Sequence, residues 1–588
     1  MITINPNPIA PQRPSHDPSS HDPSSHDLAA AYLKGITLED RRQAGQVYTP
    51  LHLVHFILEL AGYDPDLPIE HATLLDPACG GGVFLQVAVT HLAARLTGLG
   101  TDLNTRAGHD RLLKLVSQNF FAIDLDANAC ALTGQAVREA LRCVSAGPVS
   151  DDFFDANVFQ ADFLRSDDLE LRLPFGGLDF VVGNPPYVQT TRLEPEVKAE
   201  LRARFVSASG RLDLYTLFIE RTIPILRDGG RFAFITPDKF LASLSAADIR
   251  AVLVRNGSLK RVARFTSHKV FQDAATVPCV TVFERGAAHN QIEILQCGDQ
   301  ADHDGNVPVI ERYALPGSRL RKPTWDFNPP DLRHLTERIQ GQHRSLESVT
   351  ARISAGVATG RNEVFVIPAD AGVDLEPELL RRAVRGEDIG PYSINDPGLR
   401  LLIPYTYDDG QRRLIELSQY PLTQAYLEGF KADLEKRQVV TVKNQAWYAF
   451  TDPSKVDLSR LPKILVPDVA EHNRFAFDPG GFFPLNSAYY LVPDGIDPHY
   501  LTAVLNSTPI EFLIRLHAPI AKDRFSRYRR QFLAPLPIPA PDVQTVQAIV
   551  ESALRGDARH TDALCTELFG LTDGELTMMN AYLGRTRT

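Results

Sequence analysis

Between Leu28 and about residue 285, short apolar runs alternate with longer stretches in which apolar residues return at helical spacing. The runs are ATLLD (72–76), FFAIDLD (120–126), VFQADFL (158–164), DFVVG (179–183) and RFAFITP (231–237). The stretches are TPLHLVHFILEL (49–60), with Pro50 near its start, VFLQVAVTHLAARL (83–96), ANACALTGQAVREALR (127–142) and LYTLFIERTIPILRDGG (214–230). Strand–helix alternation of this kind predicts an α/β fold, a parallel sheet covered on both faces. CVTVFERG (279–286) is expected to close the sheet, and 214–230 to be one helix ending at its glycines.

Residues 287–345 are more polar and Pro-rich, as in GSRLRKPTWDFNPPD (317–331), and read as a connector. From about residue 346 the pattern mixes strands (EVFVI, LLIPY, KILVPDV, SAYYLVP) with helices (YLTAVLNSTPIEFLIRL, VQTVQAIVESALR). The expected organisation is a disordered tail over 1–27, built on HDPSSHDPSSHD, then a unit over 28–335 with its connector, then a mixed α+β unit over 336–588.

Charge and cysteine change this picture little. With 61 Lys+Arg against 72 Asp+Glu the net charge is −11, so a nucleic-acid partner would have to meet a local basic surface. The six cysteines form no CxxC pair or Cys/His cluster, which argues against zinc or a disulfide framework, and no metal is expected. No apolar run is long enough to cross a membrane and the N-terminus is not a signal peptide, so a cytoplasmic protein is expected.

The candidate chemistry sits at successive strand tips. LLDPACGGGVFL (74–85) is a strand, an acid, a glycine turn and a helix; it has neither the GK[ST] of a P-loop nor the spacing of GxGxxG. An acid there suits a cationic ligand group. Asp124 ends the next strand and is placed to accept the two hydroxyls of a ribose, with residues 92–118 as an insertion. Asp162 and Phe163 follow at the third tip, an acceptor for an adenine amine and a ring to stack on it. At the fourth tip stand Asn184, Pro185, Pro186 and Tyr187. A conjugated amine is a poor nucleophile. Two acceptors aimed at its hydrogens, the Asn184 side-chain oxygen and the Pro185 carbonyl held by the ring of Pro186, would localise its lone pair. Tyr187 supplies a stacking face. A Pro-rich turn with a capping Asn accounts for NPPY alone, but not for NPPY after three such tips.

In these motifs and their order the chain resembles the gamma class (TaqI-like) of S-adenosylmethionine-dependent DNA adenine-N6 methyltransferases of restriction–modification systems, from about residue 40 onward. The resemblance implies a Rossmann-like class I methyltransferase domain followed by a C-terminal target-recognition domain. It implies S-adenosyl-L-methionine as cofactor and double-stranded DNA as partner. By position, GQVYTP (45–50) would place Thr49 near the methionine carboxylate, and Asp76, Ala78 and Gly80 around the methionine. Asp124 would bind the ribose, Leu125 would pack on the cofactor adenine, and Asp162 and Phe163 would hold it. Asn184 to Tyr187 would be catalytic, Phe218 would line the pocket, and Phe271 would stack on the flipped base opposite Tyr187. The family's Gly-Ser-Gly-like turn is here Gly80-Gly81-Gly82, which removes a hydroxyl.

RLHAPIAKDRFSRYRRQF (515–532) gathers Lys522, Arg524, Arg527, Arg529 and Arg530 with interleaved aromatics, a candidate phosphate-contacting strip. GVATGRNEVFVI (356–367) is similar to segments of the family's recognition domains, with Gly356, Thr359, Gly360, Arg361 and Asn362 in a loop against DNA. The expected activity is site-specific adenine DNA methylation by a monomer. Two alternatives stay open: a protein glutamine N-methyltransferase, since NPPY also serves amides, and an enzyme joined to a nuclease or acting with a separate restriction endonuclease.

Overall fold

The structure, a computed structural model, describes residues 49–584 except 169–171, 189–192, 210–212, 266–269, 272–276, 304, 323, 409–410, 519 and 523–524. The expected tail over 1–27, residues 45–48 of GQVYTP and Arg524 lie outside the described residues. The chain divides into two compact units, one ending at Asp326 and one beginning at Phe327.

The first unit is built on a nine-stranded sheet. Its strands are β1 (Leu74–Asp76), β2 (Phe120–Asp124), β3 (Val158–Gln160), β4 (Leu178–Gly183), β5 (Leu226–Pro237), β6 (Gly257–Phe265), β7 (Pro278–Arg285), β8 (Gln291–Cys297) and β9 (Val309–Pro316). They lie in the order β3-β2-β1-β4-β5-β7-β6-β8-β9. The first five are mutually parallel, and β7 runs antiparallel between β5 and β6. This is the Rossmann-like α/β arrangement that the resemblance implies. The central strands read as apolar runs because both faces are covered: β1 is wholly buried, as are the first four residues of β2.

Helices follow the predicted pattern. They are α1 (Leu51–Ala61), α2 (Val83–Gly98), α3 (Arg106–Asn119), α4 (Ala127–Val144) and α5 (Leu214–Ile225). Helix α3 fills much of the expected insertion over 92–118, whose first residues instead end α2. Helix α1 buries Leu53, Val54, Ile57, Leu58 and Ala61 against α2, β4, β5 and β7. Its C-terminal carbonyls are taken by arginines from the sheet: Arg231 donates to Ala61 O at 3.1 Å and Arg261 to Leu60 O at 2.6 Å. The docking of α1 thereby sets where Thr49, just before it, must lie.

Two expectations fail. The stretch 214–230 is not one helix. Helix α5 ends at Ile225, one residue past Pro224, and LRDGG already belongs to β5, bulged where Leu178 and Phe180 pair with Leu226 and Arg231. CVTVFERG does not close the sheet either. It is an interior strand, and β8 and β9, from the presumed connector, extend the sheet beyond β6. The outer strand β9 is mostly exposed and so carries little apolar signal.

The second unit is mixed α+β. One four-stranded sheet joins 350–355, 488–493, 463–467 and 476–478; another joins 366–368, 399–402, 380–384 and 482–484. Helices at Pro498–Leu505, Thr508–His517 and Val543–Leu554 cover its first core. EVFVI, read as a strand, starts as a helical turn over Asn362–Phe365.

Candidate active site

The site lies where the sheet order reverses. From β1 the chain builds β2 and β3 on one side, then returns to place β4 on the other. The connections leaving β1 and β4 therefore diverge, and a crevice opens at the carboxyl ends of these neighbours. Asp76 ends β1, and Gly183 ends β4 immediately before Asn184.

These two ends fit closely. A Cβ built on Gly183 would stand 2.7 Å from Asp76 Oδ1, so no larger residue fits there without displacing the carboxyl. Asp76 is 1 % exposed and accepts a hydrogen bond from Ala78 N at 3.1 Å. Burial pushes its pKa up to about 8, against the Ala78 amide and with help from the negative charge of Asp124.

The glycine turn is held from the second strand. Gly80 N donates to Asp124 Oδ2 at 2.9 Å, and Asp126 N to Asp124 Oδ1 at 3.0 Å. Burial raises the Asp124 pKa, and those two amide donors oppose the rise. Gly80 and Gly82 have φ of 51° and 79°, and a Cβ on Gly82 would lie 2.8 Å from Thr133 Cα. Thr133 also donates to Gly80 O at 3.1 Å. Neighbouring Leu125 is 70 % exposed, an apolar side chain presented to solvent at a strand tip. The third tip is tied to the second through Ala161 N and Asp124 O, 2.9 Å apart. There Asp162 accepts from Leu164 N at 3.0 Å and lies 3.9 Å from Arg165. The Phe163 ring is buried against Phe218, centroids 5.2 Å apart and planes at 32°.

At the fourth tip Asn184 Nδ2 donates to Thr49 Oγ1 at 3.1 Å, and Thr49 is buried. The resemblance implies Thr49 near the methionine carboxylate; in the structure its hydroxyl also meets the Asn184 amide. Pro185 is buried, while Pro186 and Tyr187 are half-buried. The Tyr187 hydroxyl donates to Ile235 O on β5 at 3.1 Å, and its ring meets Tyr215 edge-on at 6.2 Å. Burial raises the Tyr187 pKa, so it stays neutral. Phe271 is not brought to this cluster as an open face. It is 2 % exposed and belongs to the core with Phe265 and Val270. Thr133, Tyr215 and the Ile235 carbonyl had no sequence signal, because each acts through a contact distant along the chain.

In the second unit, Thr359 anchors the loop before Asn362. Its hydroxyl donates to Asn362 Oδ1 at 2.6 Å and accepts from Arg361 N at 3.1 Å. Gly360 has φ 79°, and a Cβ there would meet Thr451 Oγ1 at 2.1 Å. Beneath it lies a residue that sequence reading missed, buried Arg437, donating to Thr359 O at 2.7 Å and Trp447 O at 2.5 Å. Arg361 and Asn362 are exposed. The predicted basic strip is largely occupied. Arg527 pairs with Asp468 at 3.1 Å, Arg529 with the same carboxylate at 3.7 Å, and Arg530 with Glu347 at 2.5 Å. Lys522 lies in the short strand Ile520–Lys522.

Comparison with known proteins agrees with this architecture. Residues 118–271 match the family model of the Eco57I restriction-modification methylase, and 381–538 that of the TaqI-like C-terminal specificity domain. The chain is 28% identical to the Type II methyltransferase M.PaeR7I of Pseudomonas aeruginosa, covering 90% of this chain and 92% of that one. It is 26% identical to M.BstVI of Geobacillus stearothermophilus, over 93% and 100% of the two chains. A solved structure of the Type IIL restriction-modification enzyme MmeI in complex with DNA shares the fold with TM-score 0.61 at 16% identity, covering 95% of this chain and 78% of that one. Among the described residues no helix is long and apolar enough to cross a membrane. The segment similar to a restriction–modification methylase thus precedes the segment similar to a TaqI-like specificity domain, in the order the chain's motifs imply.

Proposed function

We propose that this chain is the modification enzyme of a restriction–modification system and transfers a methyl group from S-adenosylmethionine to the N6 amine of an adenine in duplex DNA. One observation carries the reading: Asn184 stands at the carboxyl end of β4 beside β1, with its amide nitrogen held by Thr49. In this reading the amide oxygen is the end that accepts from a substrate amine.

The residues present fit the cofactor. Asp124 uses two of the roughly four acceptor positions of a carboxylate on backbone amides and keeps others for ribose hydroxyls. Asp76 offers a buried carboxyl to a cationic group, and exposed Leu125 offers apolar cover to a ring. The glycine turn lets the ligand approach the backbone. When bound, the cofactor supplies an electrophilic methyl group.

The chain's own part is electrostatic and steric. Asn184 Oδ1 and the Pro185 carbonyl accept from the two hydrogens of the substrate amine and localise its lone pair. The contact of the Thr49 hydroxyl with the amide group holds the Asn184 side chain in place at the strand tip. Once the nitrogen is substituted its extra proton is acidic, so no strong base has to be built in. A base in a duplex must leave the stack to reach this tip, at a cost of a few kcal/mol. The Tyr187 ring, anchored by its hydroxyl, gives it a face to stack on. Phe271 would reach such a base only by leaving the core, so the stacking is assigned to Tyr187.

Replacing Asn184 by Ala tests the reading. Methyl transfer to duplex DNA should fall by on the order of 100-fold or more, while cofactor affinity by calorimetry stays near wild type. Near-normal turnover in that variant would sink the mechanism.

A further inference from the structure

We propose that a groove in the second unit seats a backbone phosphate of duplex DNA, an inference that rests on the reading of the chain as a DNA methyltransferase. The groove has a volume of about 280 Å³ and is lined by Arg352, Gly356, Val357, Asp452, Lys455 and Arg530, among others. Arg352 lies on the strand Thr350–Ala355, which leads into Gly356. A Cβ on Gly356 would fall 2.3 Å from Leu485 O, so bare backbone forms this part of the wall.

Charge selects the ligand class. Arg352 and Lys455 make no ion pair or side-chain hydrogen bond among the described residues. Arg530 pairs with Glu347, but both side chains are more than half exposed, at 59% and 56%. Such a pair is weak and readily exchanged for a phosphate. Asp452 is the one carboxylate in the lining, against these three cations. Along the neighbouring strip, by contrast, Arg527 and Arg529 share the partly buried Asp468. The groove thus brings together three cations that no buried carboxylate holds, a local basic surface in a protein of net charge −11.

Position gives the groove a purpose. Ala358 and Asp452 exchange backbone hydrogen bonds at 3.0 and 2.9 Å, so the groove wall runs directly into the loop that presents Arg361 and Asn362. A phosphate held by Arg352, Lys455 and Arg530 fixes the register of the duplex. The exposed Arg361 and Asn362 side chains then meet base edges, which divides positioning from reading.

The test is the salt dependence of DNA binding by the full chain, measured by fluorescence anisotropy on a duplex with its recognition sequence and on an unrelated duplex. The double variant Arg352→Gln/Lys455→Gln should lose about two units of slope in log K against log salt and weaken on both duplexes alike. The charge-retaining pair Arg352→Lys/Lys455→Arg should keep the slope. A wild-type slope in the Gln variant, or an equal loss in the charge-retaining one, overturns the phosphate seat. If the wild-type chain binds neither duplex at any salt, it is the DNA-methyltransferase reading that fails.

Discussion

Replacing Asp76 by Asn should stabilise the first unit while removing its cofactor site, and the gain should depend on pH with a defined sign. Asp76 is 1 % exposed, and its pKa is pushed up from 3.8 to about 8. Across most of that interval the folded protein holds a proton that the unfolded chain has released. Stability therefore falls as pH rises, by about 1.4 kcal/mol per unit for a single group. The loss begins above the unfolded pKa and is complete above the folded one. Asn keeps an oxygen to accept from Ala78 N and titrates nowhere. The stability of the variant relative to wild type should then grow by about 2–3 kcal/mol between about pH 5.5 and about pH 7.5. Asp124 titrates in both proteins and largely cancels. The chain has two tryptophans, Trp325 and Trp447, on opposite sides of the division at Asp326. In a Trp447→Phe background, Trp325 fluorescence in urea follows the first unit alone. A difference between variant and wild type that is the same at both pH values would refute the reasoning, because Asp76 would then be ionised in the folded chain.

Other outcomes follow from the same geometry. Thr49→Val should lower the methyl-transfer rate about 10-fold with cofactor affinity little changed, the equivalent of about 1.4 kcal/mol for a lost orienting hydrogen bond, and Thr49→Ser should restore it; equal loss in both variants would contradict the role. Gly183→Ala should cost about 1–3 kcal/mol in unfolding measurements and impair cofactor binding, since its Cβ would stand 2.7 Å from the Asp76 carboxyl. Gly360→Ala should abolish sequence-specific DNA binding in a gel-shift assay while calorimetry still detects the cofactor, because φ of 79° and the Thr451 hydroxyl leave no room for a methyl.

Much of the site was readable because its chemistry is local. Asp76, Asp124, Asp162 and Asn184 each end an apolar run, and the order of the runs became the order of the strand tips. What stayed hidden depends on distant contacts. Thr49 and Asn184 are 135 residues apart, and nothing in GQVYTP or NPPY says that they touch. The arginines from 527 to 530 look free in sequence because Asp468 and Glu347 lie 59 and 183 residues away. Strand β9 was missed because an exposed edge has little apolar pattern to show. Phe271 sits in a short motif that suggests a binding face, yet packing with Phe265 and Val270 places it inside.

The central claim is tested most directly by incubating the purified chain with S-adenosylmethionine carrying a labelled methyl group and duplex DNA of mixed sequence. The DNA is then digested to nucleosides and sequenced for modified bases. The account predicts label in N6-methyladenine at one fixed sequence. Label confined to another base, or to protein with none in DNA, would contradict it.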